Sequence, residues 1–345
     1  MKNGKEELFL KEAITSDLSK GSTLNGLCER YQVDYIKVLA IIDDLIKSGF
    51  NIDQVETADK DVFYKNYGHR RLIDPLPVQI KNNNENIRFV LISDTHMGSR
   101  YEQLGILNNI YYNAHLDFKP DFFIHCGDIS AGVYAASKKL NNQTLFARTF
   151  QEQVDHIVNF YPYIENTPTY FITGERDETH LKADNEHEIG IAVSNERSED
   201  LIYLGQYSKK FHLYNDYNNQ EIKLKIEHKS GRIPYTVSYP TQREIDAMRS
   251  DDKPDYLIQA HWFTSSDFRI RGIRAIQVPG LVGDMANRND MGSNTIGAWY
   301  IDIKRDNKLR IISQTETRVP YYRQEPIDNY QKVKALKLGG RNGKR

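Results

Sequence analysis

Five apolar runs of this 345-residue sequence each end in a carboxylate or an imidazole. A strand that ends in such a group presents it to the crevice at the carboxyl edge of an α/β sheet. Carboxylate oxygens and imidazole nitrogens are the donors that hold Mn, Fe or Zn ions. The ordered set therefore predicts a metal site. The runs are RFVLISDTH with Asp94 and His96, DFFIHCGD with Asp128, TYFITGERD with Glu175 and Asp177, KLKIEH with His228, and DYLIQAH with His261.

The same segments resemble the calcineurin-like metallophosphoesterases over about residues 88–303. That family reads Asp-x-His, Gly-Asp, Gly-Asn-His-Asp/Glu, His and Gly-His-x-His in this order. The resemblance implies an α/β fold, a sandwich of two mixed β-sheets flanked by helices, with the site at the strand ends. The matching segments are DTH at 94–96, GD at 127–128, GERD at 174–177, His228, and AHWF at 260–263.

The resemblance also implies one or two divalent metal ions bridged by Asp128, with Mn expected first and Fe, Zn or Mg as alternatives. Two such cations neutralise phosphate oxygens and activate a water molecule for in-line attack. Asp128, Arg176 and Asp177 are the candidate catalytic residues, and Arg176 is expected to stabilise the phosphate. The implied metal ligands are Asp94, His96, Asp128, Glu175, His228 and His261.

Three positions depart from the family pattern inside the site. Glu175 replaces an asparagine, Arg176 replaces a histidine, and Phe263 replaces the last histidine ligand of one metal. Arginine can clamp a phosphate with two hydrogen bonds, but it cannot donate a proton at neutral pH. His180 or His187 is a candidate substitute for the missing ligand, although a surface loop histidine without a metal role is the preferred interpretation.

Three stretches between the motifs are similar to a branch of DNA-associated phosphoesterases that are often found in phages and bacteria: GSRYEQL, NERSEDLIYLG and HKSG…YTVSYPTQREI. The resemblance implies a metal-dependent phosphodiesterase that acts on nucleic acid, with DNA as the expected substrate. The alternative is a catalytically impaired member of the same fold that serves as a DNA- or protein-binding regulatory factor. The departures inside the site favour that alternative.

The first 70 residues show a different pattern, typical of a winged helix-turn-helix domain. Apolar residues recur at helical spacing up to Gly21, Asp34 is placed to cap a third helix, and residues 50–52 and 62–64 can pair as a wing. Such domains place a helix in the DNA major groove. Residues 1–75 hold 11 Lys and Arg against 13 Asp and Glu, which is not the basic footprint of duplex binding. A protein partner or a homo-oligomer contact therefore stays open beside DNA contact.

Composition bounds the remaining organisation. A net charge of -1 excludes a chain that is basic overall, and no apolar run approaches the roughly 20 residues of a membrane helix. Cys28 and Cys126 are too few for a disulfide framework. We expect a soluble cytoplasmic protein with no membrane partner. Its expected segments are a winged-helix-like domain at 1–70, a linker at 71–87, a metallophosphoesterase domain at 88–325 and a basic C-terminal tail at 326–345.

Overall fold

The computed structural model divides the chain into two compact units, Met1–Leu72 and Ile73–Arg345. Within the part of the chain that it describes, no helix is both long and apolar enough to cross a lipid bilayer. The described residues are 2–47, 50–57, 61–69, 77–134, 137–184, 188–214, 216, 221–231, 234–236, 238–250, 253–283, 295–308, 310–321 and 337–338.

The N-terminal unit contains three helices and a three-stranded sheet with strand order β1-β3-β2. Thr23 caps the second helix by accepting a hydrogen bond from the Gly26 amide, and Asp34 accepts one from the Lys37 amide at the start of the third. The Asp34 cap confirms the sequence prediction, whereas the assignment of this unit as a winged helix stays a prediction. The elements are α1 (Lys2–Lys20), β1 (Ser22–Thr23), α2 (Leu24–Tyr31), α3 (Tyr35–Lys47), β2 (Phe50–Glu56) and β3 (Val62–His69).

Two six-stranded mixed sheets form the centre of the second unit. The first sheet has the strand order β16-β15-β5-β6-β8-β9. Strands β5, β6, β8 and β9 are parallel, β15 pairs antiparallel with β5, and β16 pairs antiparallel with β15. Its strands are β5 (Asn86–Ile92), β6 (Phe122–Cys126), β8 (Thr169–Thr173), β9 (Leu201–Gln206), β15 (Ile296–Arg305) and β16 (Ile311–Tyr321).

The second sheet has the strand order β13-β14-β12-β11-β10-β4. Strands β11, β12 and β14 run parallel, so the carboxyl ends of β11 and β12 lie side by side. The strands are β4 (Val78–Lys81), β10 (Ser208–Tyr214), β11 (Glu221–His228), β12 (Tyr256–Ala260), β13 (Ser266–Ile270) and β14 (Ile273–Gln277).

Three apolar clusters hold these layers together. The inner faces of the two sheets pack against each other through side chains such as Phe89 and Phe211. The outer face of the first sheet packs on helices through side chains such as Leu107 and Ile157, and the second sheet packs on a helix through Ile245. This arrangement is the predicted sandwich of two mixed sheets flanked by helices. The helices are α4 (Leu104–Asn113), which continues into a π-helical turn (Ala114–Phe118), α5 (Lys138–Thr144), α6 (Phe150–Phe160), α7 (Glu175–Asp184), α8 (Ile189–Glu196) and α9 (Ser238–Ala247).

Two expected connections contain structure that composition did not predict. Residues 78–81, which the prolines and asparagines around them placed in a linker, form β4 and pair with β10. The reason is that Val78 and Ile80 alternate and pack against the core between the sheets. Within the expected tail, Lys337–Leu338 pair as strand β17 with strand β7, Tyr163–Ile164. The rest of the tail lies outside the described residues.

Candidate metal centre

The carboxyl ends of β5, β6 and β12 turn sharply, and four of the six predicted ligands stand on these turns. Asp94, His96, Asp128 and His261 have φ angles of 51°, 44°, 56° and 100°, in the left-handed region that residues other than glycine seldom adopt. Such residues cluster at functional sites, where the surrounding structure holds the strain. The adjoining strands of both sheets supply that support here.

Five of the six predicted metal ligands form two triads that share Asp128. In each triad the nearest oxygen and nitrogen donor atoms lie within 4.8 Å of one another. His96 Nε2 is 3.6 Å from Asp94 Oδ1 and 3.5 Å from Asp128 Oδ2, and His228 Nε2 is 3.3 Å from the same Asp128 oxygen. The triads are Asp94–His96–Asp128 and Asp128–His228–His261.

The donor atoms of the triads are buried, and several have no hydrogen-bond partner within the described part of the chain. These atoms are Asp94 Oδ1, His96 Nε2, His228 Nε2 and His261 Nδ1. A buried polar atom without a partner costs free energy. A divalent cation removes that cost because carboxylate oxygens and imidazole nitrogens are its ordinary ligands. The residues present therefore fit a metal site.

Backbone carbonyls fix the orientation of the two second-sheet histidines. His228 Nδ1 donates to the Cys126 carbonyl at 2.8 Å, so its Nε2 points to Asp128. His261 Nε2 donates to the Gly231 carbonyl at 2.7 Å, so its Nδ1 is the nitrogen that remains for a ligand. Hydrogen bonds of this kind set the tautomer and direction of metal-binding histidines. Asp94 is held in the same way, since its Oδ2 accepts from the Ser93 hydroxyl at 2.7 Å.

The charges of the cluster shift its pKa values in opposite directions. Burial lowers the pKa of His228, but the nearby carboxylates of Asp128 and Asp94 outweigh it and raise that pKa to about 10. Burial raises the pKa of Asp128, yet His228 and His96 hold it well below its usual range. Both shifts come from the attraction between the imidazoles and the carboxylates, which favours the charged form of each. Because metal ligands bind deprotonated, a cation competes with protons for these donors.

Two glycines allow His228 to approach the strand ends of the first sheet. A Cβ at Gly127, whose φ is 101°, would lie 2.4 Å from His228 Nδ1. A Cβ at Gly174 would lie 2.4 Å from Asp128 Oδ1 and 2.4 Å from His228 Cδ2. Both separations are far below van der Waals contact, so these positions must lack a side chain for the second triad to form.

The remaining predicted ligand, Glu175, lies outside both triads. Its side chain is 48% exposed, and Oε2 is 3.7 Å from His261 Nε2, the nitrogen that faces Gly231. The structure therefore does not bring Glu175 into the cluster. The physical reason is that Glu175 is the first residue of α7, where the chain contacts the cluster through its backbone. The Arg176 amide donates to Asp128 Oδ1 at 2.8 Å, and the Glu175 side chain stays half exposed.

Asp177 lies beside the cluster but is bonded to the loop after β6. Its Oδ1 accepts from the Ser130 amide and hydroxyl at 2.8 and 2.6 Å, and its Oδ2 accepts from the Ile129 and Gly174 amides at 3.2 and 2.9 Å. Burial and the charge of Asp128 raise its pKa to about 6. These contacts position the loop and give no support to the predicted catalytic role.

Phe263 occupies the place where the family pattern has a histidine. Its ring is buried and meets the His96 ring edge-on, with centroids 5.8 Å apart. His180 does not replace the missing donor, because it is buried in α7 where Nε2 contacts Gln153 Oε1 at 3.2 Å. His187, the other candidate substitute, lies outside the described residues. The first triad therefore has three candidate protein ligands.

Sequence reasoning missed the groups that orient the ligands. The carbonyls of Cys126 and Gly231 carry no side-chain signal, so only the folded backbone reveals them. The side chain of Cys126 itself packs between the sheets. Tyr134, whose ring lies under the Arg176 guanidinium with 4.9 Å between Cζ and the ring centroid, was also not found. Tyr134 lies 42 residues before Arg176, and no sequence motif links two residues at that separation.

An α/β sandwich whose strand ends hold two ligand triads joined by one aspartate defines a phosphoesterase type of protein with a candidate metal centre. The sequence model of the calcineurin-like phosphoesterase family matches residues 87–304, and the chain belongs to this family. The match confirms the resemblance predicted over about residues 88–303. Members of this family usually bind divalent metals, in agreement with the donor set at the strand ends.

Solved structures resemble the chain at low identity. A novel archaeal phosphodiesterase is 13% identical, with 68% of this chain and 100% of the other covered and a TM-score of 0.35. A predicted phosphoesterase from Streptococcus pneumoniae is 9% identical, with coverages of 68% and 98% and a TM-score of 0.32. Vacuolar protein sorting 29 from Cryptosporidium parvum is 12% identical, with coverages of 68% and 99% and a TM-score of 0.34. No curated protein matches the chain.

Proposed function

We propose that the chain is a metal-dependent phosphodiesterase that acts on nucleic acid, with DNA as its substrate. The observation that carries the proposal is the shared position of Asp128, which belongs to both triads and is surrounded by buried donor atoms that have no hydrogen-bond partner among the described residues. A carboxylate in that position can contact two cations at once and reduce their mutual repulsion. Histidine and carboxylate donors together suit Mn, Fe or Zn, and Mn is the cation that we propose first.

The chain's own residues hold and orient the reacting groups. Asp94, His96 and Asp128 would hold one cation, and Asp128, His228 and His261 the other. When bound, two divalent cations neutralise phosphate oxygens and lower the pKa of water so that it attacks at neutral pH. The backbone amide of Arg176 donates to Asp128 Oδ1 and so helps to hold the shared carboxylate in place.

The proposal of a DNA substrate is supported by the separate N-terminal unit, which carries the predicted winged helix. In this unit the first residues of α3 are well exposed, with Tyr35 at 60% and Ile36 at 64%. A helix in that position is the one that such domains place in the major groove. The same exposed pair also suits a protein partner, which is the reason to measure DNA binding directly.

A second candidate function is a regulatory factor that binds DNA or protein without hydrolysis. The observation that favours it is the buried ring of Phe263, which meets His96 where the family has a donor. The position of Glu175 outside the triads reduces the possible donors further. A protein of this kind would keep the sandwich while binding cations too weakly for turnover.

Hydrolysis of bis(p-nitrophenyl) phosphate and of labelled DNA with added Mn²⁺ separates the two functions. The test variant is Asp128→Asn, which keeps the shape but loses the bridging charge, and the matched control is Asp155→Asn at an exposed position of α6. Turnover that requires Mn²⁺ and is lost only in Asp128→Asn supports the phosphodiesterase. No turnover by the wild type, together with DNA binding that a chelator does not change, supports the regulatory factor.

A further inference from the structure

Arg176 lies at the start of α7 beside Asp128, and within the described part of the chain its side chain has no acidic partner. Its amide donates to Asp128 Oδ1 at 2.8 Å, which fixes its backbone next to the shared carboxylate. Its guanidinium does not turn back to that carboxylate and stacks over the Tyr134 ring at 4.9 Å. Among the described residues, no Asp or Glu side chain forms an ion pair with it. The guanidinium charge is thus not neutralised by any carboxylate of the described residues.

The loop that carries Tyr134 is fastened to α7 at successive positions. A Cβ at Gly132 would lie 2.3 Å from the Arg176 carbonyl oxygen, so the two backbones touch there. The Val133 amide donates to Thr179 Oγ1 at 2.8 Å. Asn141 clamps the Tyr134 backbone, since its Oδ1 accepts from the Tyr134 amide at 2.7 Å and its Nδ2 donates to the Tyr134 carbonyl at 3.1 Å. The backbone that carries the Tyr134 ring is therefore held by contacts with α7 and α5.

We propose that Tyr134 and Arg176 form a phosphate subsite that holds a phosphodiester group of the nucleic-acid strand next to the scissile one. The inference rests on the proposed phosphodiesterase function and adds where the rest of the strand is bound. A guanidinium stacked on an aromatic ring keeps its N–H edge free and loses little conformational freedom on binding a phosphate. Because the guanidinium stacks on Tyr134 and forms no ion pair with the described carboxylates of the triads, we assign it a neighbouring phosphate and not the scissile one.

A purely structural role is the competing explanation of the pair. Arg197, which lies between α8 and β9, is an example of an arginine with a structural role. It stacks on Tyr163 at 5.6 Å, but it also forms an ion pair with Asp200 and donates to the Tyr161 carbonyl at 2.7 Å. Arg176 stacks on a ring in the same way but pairs with no carboxylate of the described residues. A phosphate supplies the missing negative charge.

Fluorescence anisotropy with a short fluorescein-labelled oligothymidylate tests the subsite. Ca²⁺ replaces Mn²⁺ in the assay, and a gel checks that the probe stays intact. We expect Arg176→Gln to raise the Kd about tenfold, since a charge-assisted bidentate contact is lost. Tyr134→Leu should raise it about two- to fivefold by freeing the guanidinium, while Tyr134→Phe, which keeps the ring, should bind like the wild type. Tyr163→Leu is the matched control and should leave the Kd unchanged.

A methylphosphonate oligothymidylate identifies the group that Arg176 binds, because it keeps the bases and removes the phosphate charge. The wild type and Arg176→Gln should bind it equally. Unchanged binding of the normal probe by folded Arg176→Gln, or an undiminished defect with the uncharged probe, overturns the subsite. If Arg176→Gln weakens binding but the wild type hydrolyses nothing, the phosphodiesterase function is refuted and the phosphate subsite is retained. If the wild type hydrolyses DNA but binds the probe with the same Kd as Arg176→Gln, the subsite is refuted and the phosphodiesterase function is retained.

Discussion

Replacing Gly174 by alanine tests whether close packing against a bare backbone holds the ligand cluster. The new Cβ would lie 2.4 Å from both Asp128 Oδ1 and His228 Cδ2. Carbon atoms in contact are about 3.5–4.0 Å apart, so the His228 ring must retreat by about 1 Å. The φ angle of Gly174 is not in the left-handed region, so alanine adds no backbone strain. The effect of the substitution therefore comes from the Cβ alone.

A displacement of that size is large against what a metal site tolerates, which is about 0.2 Å in each ligand distance. We expect the Kd for Mn²⁺ to rise about 10- to 100-fold, the range found when groups that orient metal ligands are changed. Isothermal titration of Mn²⁺ into chelator-treated protein measures the affinity. Urea unfolding of the same samples should show a loss of about 1–3 kcal/mol from overpacking.

Gly190→Ala is the matched control because it creates the same clash away from the triads. A Cβ there would lie 2.4 Å from Cε2 of Tyr203, where α8 packs on β9. It should cost similar stability and leave the Mn²⁺ affinity unchanged. The reasoning is refuted if folded Gly174→Ala binds Mn²⁺ like the wild type, or if both variants weaken binding equally.

Three further outcomes follow from the contacts described. Phe263→His places a ring nitrogen beside His96, so the number of Mn²⁺ ions bound per chain, measured by mass spectrometry, should rise; an unchanged number contradicts this. Burial raises the pKa of Glu316, but its hydrogen bond and ion pair with Arg274 lower it below its usual value. Glu316→Gln should therefore cost about 1.5–3 kcal/mol in urea unfolding at neutral pH, and the difference should vanish as the pH falls through the lowered pKa, where the wild type loses the same stabilisation. Asp177→Asn weakens the acceptor of four hydrogen bonds and should cost about 1–3 kcal/mol; lost turnover at full stability would restore its predicted catalytic role.

The ligand cluster was predictable because each member follows an apolar run. Buried parallel strands are near-continuous apolar segments, so their ends are visible in the sequence, and parallel strands end at the same edge. Asp94, Asp128 and His261 stand immediately beyond β5, β6 and β12 for this reason. The caps at Thr23 and Asp34 were predictable because they depend on residues only three positions away.

The rest of the site depends on contacts that no local pattern encodes. Glu175 satisfies the chemistry of a ligand, but the start of α7 leaves its side chain half exposed. Asp177 is a carboxylic acid and so could serve in catalysis, but it accepts hydrogen bonds from the amides of Ile129 and Ser130. These residues are far away in the sequence, so only the folded structure shows the contact. Strand β4 was hidden because four residues between prolines and asparagines carry too little periodicity to outweigh them.

The left-handed backbone of the ligands connects the stability of the site to its chemistry. Each of Asp94, His96 and Asp128 gives up about 1–3 kcal/mol by adopting a positive φ. The loops after β5 and β6 hold one another in this state: the Asp94 amide donates to the Gly127 carbonyl at 3.0 Å and the His96 amide donates to the Asp128 carbonyl at 3.2 Å. The donor atoms are therefore gathered before a cation arrives. Since a cation binds these gathered donors in the folded chain only, it should stabilise the fold by an amount that grows with the logarithm of its concentration over its Kd.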